Sequence, residues 1–204
     1  MGDEEPVNKG LLVIPGINSS TQEPPFNEAI EYAKSQGFSV VRLDEWESSE
    51  DLKDETLENL HHLMSRGIEA LEDHGCNYIG VIGKSFGGQL ALTYPKNSRF
   101  EFMVLWAPAV SIVRSKKRGQ NSKPLSNFER ASEIAISREH LSSIKSPVKV
   151  IHGTEDQVVN IENSRKLANI LPKAKLREVE NVGHELESKK VLSATEGMLL
   201  FTDM

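Results

Sequence analysis

Tyr78-Ile79-Gly80-Val81-Ile82-Gly83-Lys84-Ser85-Phe86-Gly87-Gly88 begins as a short apolar run, empties into a GxSxG turn, and is followed by the helix formers Gln89-Leu90-Ala91-Leu92. So tight a passage from strand to helix strains the residue at its apex and leaves no space for side chains at Gly83 or Gly87. The strain lifts the Ser85 hydroxyl clear of the sheet, and the stretch reads as a nucleophile elbow. The strand-then-helix setting is what separates it from ordinary turns that match GxSxG by composition. The embedded Gly83-Lys84-Ser85 must also be tested as a phosphate loop, GxxxxGK followed by Ser or Thr. That pattern needs glycine at the position of Tyr78, and the residues between are the strand itself, so no loop exists to wrap a triphosphate.

A serine hydroxyl is a poor nucleophile at neutral pH, and needs a base to take its proton and a third group to orient that base. Val148-Lys149-Val150-Ile151-His152-Gly153 reads as a second buried strand, and Thr154-Glu155-Asp156-Gln157-Val158-Val159 places a carboxylate just past its end. Asp156 is the expected acid; the spacing from Gly153 and the following Val158-Val159 favour it over Glu155. Ala174 and Leu176 alternate with Lys175 and Arg177 as in a last strand, with Val179 one position out of phase, ahead of Asn181-Val182-Gly183-His184-Glu185. His184 is the expected base. The chain order Ser85, Asp156, His184 differs from that of chymotrypsin-like and subtilisin-like proteases.

Acyl transfer also requires backbone N–H groups aimed at the developing oxyanion. Phe86, directly after the serine, supplies one. Gly10-Leu11-Leu12-Val13-Ile14 followed by Pro15-Gly16-Ile17-Asn18 has the form of a strand and loop that supply the other, with Ile17 the expected donor and Asn18 next to it.

With these residues assembled, the sequence resembles the α/β-hydrolase family from the Leu11 strand to the C-terminal helix. His152-Gly153-Thr154-Glu155-Asp156-Gln157-Val158-Val159 is similar to the family's acid loop and Gly183-His184 to its histidine loop. The resemblance implies an α/β fold with a mainly parallel central sheet, helices on both faces, and Ser85, Asp156 and His184 at the C-terminal edge of the strands. It implies a small serine hydrolase acting on a carboxylic ester or thioester of a small-molecule acyl substrate, with no cofactor. Pro15 stands where many lipases and esterases have histidine. The same machinery serves peptidases and acyltransferases, and the same fold serves catalytically silent binding or scaffold proteins.

At 204 residues the chain fits one domain over 1–204, burying roughly 70% of the surface exposed when unfolded. Thirty acidic against 24 basic residues give a net charge of −6, which works against nucleic acid or anionic membranes as partners. The lone Cys76 forms no internal disulfide, and Met1-Gly2-Asp3-Glu4-Glu5 lacks the pattern of a signal peptide, so a reducing cytoplasm is the expected location. No apolar run reaches the ~20 residues of a membrane span.

The remaining patterns supply the scaffold. Asn27 to Gln36 reads as a helix stopped by Gly37, and Phe38 to Leu43 as a strand. Ser48 and Asp51 resemble a capping box ahead of Leu52, Leu60, Met64, Ile68 and Leu71, which recur at helical spacing as a core face. Gln89 to Tyr94 continues the elbow helix until Pro95, and Phe102 to Trp106 is a further strand. Such alternation argues for a parallel, helix-covered sheet. A lid-like insert around 108–146 holds the basic run Ser115-Lys116-Lys117-Arg118-Gly119, read as a solvated loop, and a covering helix near Ser126 to Ile136. His61, His62 and His74 are expected at the surface or edge of the long helix and His140 in a short one. None has a metal-ligand partner at suitable spacing. His152 is read as satisfying local backbone groups at its strand end.

Overall fold

The strands of the central sheet are β1 (Lys9–Ile14), β2 (Ser39–Arg42), β3 (Tyr78–Lys84), β4 (Phe102–Trp106), β7 (Val148–Gly153) and β8 (Ala174–Val179), ordered β2-β1-β3-β4-β7-β8. The minor pair β5 (Ser111–Val113) and β6 (Ala135–Ser137) lies between β4 and β7 in sequence. The computed structural model describes residues 6–114, 120–127 and 133–200. Every pairing in the central sheet is parallel, so the loops after β1, β3, β7 and β8 open onto one edge. That common edge brings residues far apart in sequence to one place.

Alternation along the strands divides the core in two. Leu12 and Ile14, Ile79 and Val81, Met103 and Leu105, Val148 and Val150 pack on one face. They meet α2 (Leu57–Asp73), α3 (Phe86–Thr93) and Leu167 of α5 (Ile161–Ile170). Leu11, Val13, Ile82, Val104, Trp106 and Ile151 pack on the other, under α1 (Phe26–Ser35) and α6 (Lys189–Leu199). Val179 belongs to this second face whereas Ala174 and Leu176 belong to the first, which accounts for its being out of phase. Strand β3 has buried neighbours on both sides and feeds α3, whose residues are all buried. The elbow is thus built into the middle of the molecule.

Several local expectations are corrected. Ser48 and Asp51 do not start the long helix; Asp51 Oδ2 accepts from the Glu47 and Ser48 amides in a turn of its own. Leu52 is buried in the turns that follow, and α2 begins at Leu57, capped by Thr56, whose hydroxyl accepts from Asn59 N–H. A polar side chain that satisfies a free amide at the helix start outweighs apolar spacing in setting the boundary. His61 is buried rather than at the surface, with Nε2 3.0 Å from Thr93 Oγ1, because the buried face of α2 is wide enough to turn Leu60's neighbour toward α3. His62 and His74 are exposed, and His140 lies in the short helix α4 (Arg138–Ser143).

In the insert, the expected helix near Ser126 to Ile136 gives way to a 3-10 turn at Leu125–Asn127 and the extended strand β6. Residues 128–132 of that segment lie outside the described residues, as does the basic run Ser115 to Gly119. Ile134 and Ile136 are buried, and β6 pairs in parallel with β5. Ile136 is used by this two-stranded pairing, opposite Ile112, and Ile134 directly precedes β6.

Candidate active site

Ser85 is the N-cap of α3 and sits at φ 51°, ψ −112°, outside the regions an L-residue adopts without strain. Its surroundings hold it there. Its amide donates to Trp106 O at 2.7 Å, and its carbonyl accepts from Gln89 N–H and Ala109 N–H. A Cβ on Gly83 would stand 2.6 Å from Gly87 O, across the turn. A Cβ on Gly87 would stand 2.2 Å from Ile14 O, against the end of β1 rather than within the turn. The two glycines therefore answer to different neighbours: one closes the elbow, the other lets the elbow lie against the β1 loop.

That loop carries Ile17 and Asn18. Trp46 Nε1–H donates to Gly16 O at 3.3 Å, and the Trp46 ring packs edge-on against Phe86, so the segment is tied to the start of α3. Among the described residues neither Ile17 N–H nor Phe86 N–H has a hydrogen-bond acceptor; the first amides of a helix have none within it. Ile17, Phe86, Ser85 and His184 line one cavity of about 500 Å³, together with Asn18, Ser19, Ala109, Val158, Val159, Asn160, Asn163 and Glu185.

Asp156 has no exposed side-chain surface, and four hydrogen-bond donors surround it. Oδ1 accepts from the Val158 and Val159 amides, each at 2.8 Å. Oδ2 lies 2.7 Å from His184 Nδ1 and 3.2 Å from His152 Nε2. Burial opposes the ionised form, but the hydrogen bonds from His152, His184 and Val159 and the charge of His184 outweigh it, holding the carboxyl well below the usual range. An ionised Asp156 fixes the His184 proton on Nδ1, which leaves Nε2 free to accept a proton. Ser85 Oγ has no hydrogen bond among the described residues, so the hydroxyl and the imidazole share the cavity without being joined in this structure.

Sequence reasoning brought Ser85, Asp156, His184, Phe86 and Ile17 to one sheet edge, and the structure places all five there. It missed three contributors. His152, fully buried, does satisfy a backbone group, Val159 O at 3.0 Å, but the same Nε2–H also faces Asp156. Both neighbours of Nε2 are acceptors, so in neutral His152 the proton resides on that nitrogen and Nδ1 accepts from Ser164 Oγ at 2.7 Å. Gly153 lets the histidine loop approach: a Cβ there would stand 2.1 Å from Val182 O, and Glu155 N–H donates to that same carbonyl. Lys84, rejected as a phosphate ligand, is 2% exposed with Nζ 2.7 Å from Glu185 Oε2 and 3.4 Å from Ser19 Oγ. Its ammonium holds the Glu185 carboxyl below the usual range. The signal for Gly153 was the His-Gly pair ahead of the acid loop; nothing in the sequence pairs Lys84 with Glu185, 101 residues away.

No protein-family model matches the sequence, and no curated protein matches it. Solved structures do. Est1E from Butyrivibrio proteoclasticus is 16% identical with a TM-score of 0.72, over 98% of this chain and 91% of that one. The monoacylglycerol lipase of Paleococcus ferrophilus is 15% identical with a TM-score of 0.71, over 94% and 93%. MGS-MChE2, an alpha/beta hydrolase from the sediment metagenome of the Mar Chica lagoon, Morocco, is 18% identical with a TM-score of 0.72, over 97% and 93%. The chain has the α/β-hydrolase fold.

Proposed function

We propose that the protein is a serine hydrolase that cleaves a carboxylic ester or thioester through an acyl-enzyme on Ser85. The single observation that carries this reading is the strained left-handed backbone of Ser85, on the wall of a cavity that His184 also lines. Strain of this kind is kept only where the surroundings over-determine it.

In this mechanism Ser85 Oγ attacks the substrate carbonyl carbon while His184 Nε2 takes the hydroxyl proton. The Ile17 and Phe86 amides receive the oxyanion. Collapse of the tetrahedral intermediate breaks the bond to the leaving alcohol or thiol, which takes the proton from His184. Water then repeats the sequence against the acyl-enzyme, releasing the acid and restoring Ser85. Asp156 keeps the imidazole in the productive tautomer and stabilises its charged form. Each oxyanion donor contributes on the order of 3 kcal/mol to the transition state.

Steady-state turnover of short-chain nitrophenyl esters, thioesters and anilides by the wild type and Ser85→Ala tests the reading. Hydrolysis of ester or thioester that disappears in Ser85→Ala supports it, and preference for the anilide redirects it to a peptidase. A folded wild type that turns over none of the three refutes it and favours a silent scaffold.

A further inference from the structure

Lys84 is a buried cation one residue before the proposed nucleophile, and the mechanism above does not use it. Its Nζ meets two groups from two other loops of the site. Glu185, directly after His184, accepts at 2.7 Å, and Ser19, on the loop that carries Ile17, lies at 3.4 Å. The pair is lopsided: the Lys84 side chain is 3% exposed and that of Glu185 is 72% exposed. A long, solvated glutamate stays folded back onto a buried ammonium because a desolvated charge demands a partner.

The two ends of this pair flank the reacting groups. Lys84 immediately precedes Ser85, and Glu185 immediately follows His184 in a turn closed by Leu186 N–H to Gly183 O, with Leu186 buried and at φ 60°. The histidine loop is held to the acid loop by Glu155 N–H to Val182 O, by Asn181 N–H to Thr154 Oγ1 and by Asp156 through the imidazole, to the core through Leu186, and to the elbow through Glu185. Among the described residues only the last is a hydrogen bond to the strand that carries the serine. We propose that Lys84 is a positioning residue, whose ion pair with Glu185 clamps the histidine loop to the elbow and balances the charge beside His184.

The clamp sets distance, because loss of either partner frees the loop from the elbow. It also sets the field at the imidazole. The charged and titratable groups facing His184 are Asp156 from the β7–α5 loop, His152 behind Asp156 at the end of β7, Lys84 at the end of β3 and Glu185 on its own loop. Removing Lys84 alone leaves Glu185 as uncompensated negative charge and favours the imidazolium; removing the Glu185 charge alone leaves the ammonium and disfavours it. A lysine whose charge did not act on the imidazole would not give shifts of opposite sign.

The test is imidazole NMR titration of His184, with its resonance assigned by its loss in His184→Gln, in the wild type, Lys84→Met, Glu185→Gln and the double variant. Methionine matches the apolar stem of lysine and leaves no buried charge, and glutamine at 185 keeps a side-chain oxygen that accepts from Lys84 Nζ, so one single variant is expected to fold where the other does not. The expected midpoint rises by about half a pH unit or more in Lys84→Met, falls by a similar amount in Glu185→Gln, and returns near the wild type in the double variant. Ester kcat falls about tenfold in each single variant with KM within about twofold, and the double variant is no worse than the singles. Coincident midpoints in folded single variants overturn the proposal, as does an unchanged kcat in both when the wild type is active. The catalytic half rests on the acyl-enzyme reading and the titration does not: a wild type without ester turnover refutes that reading, while the midpoints still decide the charge balance.

Discussion

Replacing Ser85 by glycine, with alanine as the reference, separates a strained elbow from an ordinary turn. Both substitutions remove the hydroxyl; only alanine keeps the Cβ that makes φ 51°, ψ −112° unfavourable. The strain of one such residue is about 1–3 kcal/mol. Glycine returns part of the gain, because its unfolded chain is freer by about 0.5–1 kcal/mol. The difference leaves Ser85→Gly more stable than Ser85→Ala by about 1 kcal/mol, bounded by roughly 0 and 2.5. For a domain of this length that is a rise in Tm of about 2–4 °C. Thermal and urea melts followed by circular dichroism measure it. A glycine variant clearly less stable than the alanine variant would mean that the backbone is at ease there, and the elbow reading would fail with it.

Other expectations follow from neighbouring contacts. Gly153→Ala puts a Cβ where Val182 O lies 2.1 Å away, so a urea melt should show a loss of about 1–3 kcal/mol, and ester turnover should fall as the histidine loop is displaced. His152→Phe leaves Ser164 Oγ and Val159 O without their ring partner in a fully buried site; unfolding free energy should drop by about 2–3 kcal/mol, with His152→Gln recovering part of it. Because Asp156 is held below its ordinary range when folded, its ionisation adds stability that is fully present above about pH 5 and is lost as pH falls through and below about 4. The stability gap between wild type and Asp156→Asn in urea should therefore narrow from pH 6 to pH 3, and a gap that widens would contradict the assignment.

The architecture was legible because parallel strands bury both faces and so read as short apolar runs between helical patterns, as β1, β3, β4 and β7 do. Ser85, Asp156 and His184 were legible for a related reason: each follows a strand end, and parallel strands deliver such positions to one edge. What escaped was set by contacts with no local pattern. His152 gives the same strand-end signal whether it meets a carbonyl or a carboxylate. The Lys84–Glu185 pair exists only once β3 and the loop after β8 are in place. The start of α2 was misjudged because Leu52 keeps the helical spacing while Thr56 supplies the cap, and the insert was misjudged because Ile134 and Ile136 suit a buried strand as well as a helix.

The central claim is that His184, oriented by Asp156, makes the Ser85 hydroxyl nucleophilic. Peptide mass spectrometry after reaction with a fluorophosphonate is the sharpest test, since an activated serine oxygen attacks its phosphorus and displaces fluoride, leaving the phosphonyl group on the serine. A phosphonyl group is expected on Ser85 alone in the wild type, with a labelling rate lower by at least about a hundredfold in His184→Gln. A folded wild type left unlabelled at Ser85, or labelled as fast without His184, would contradict it.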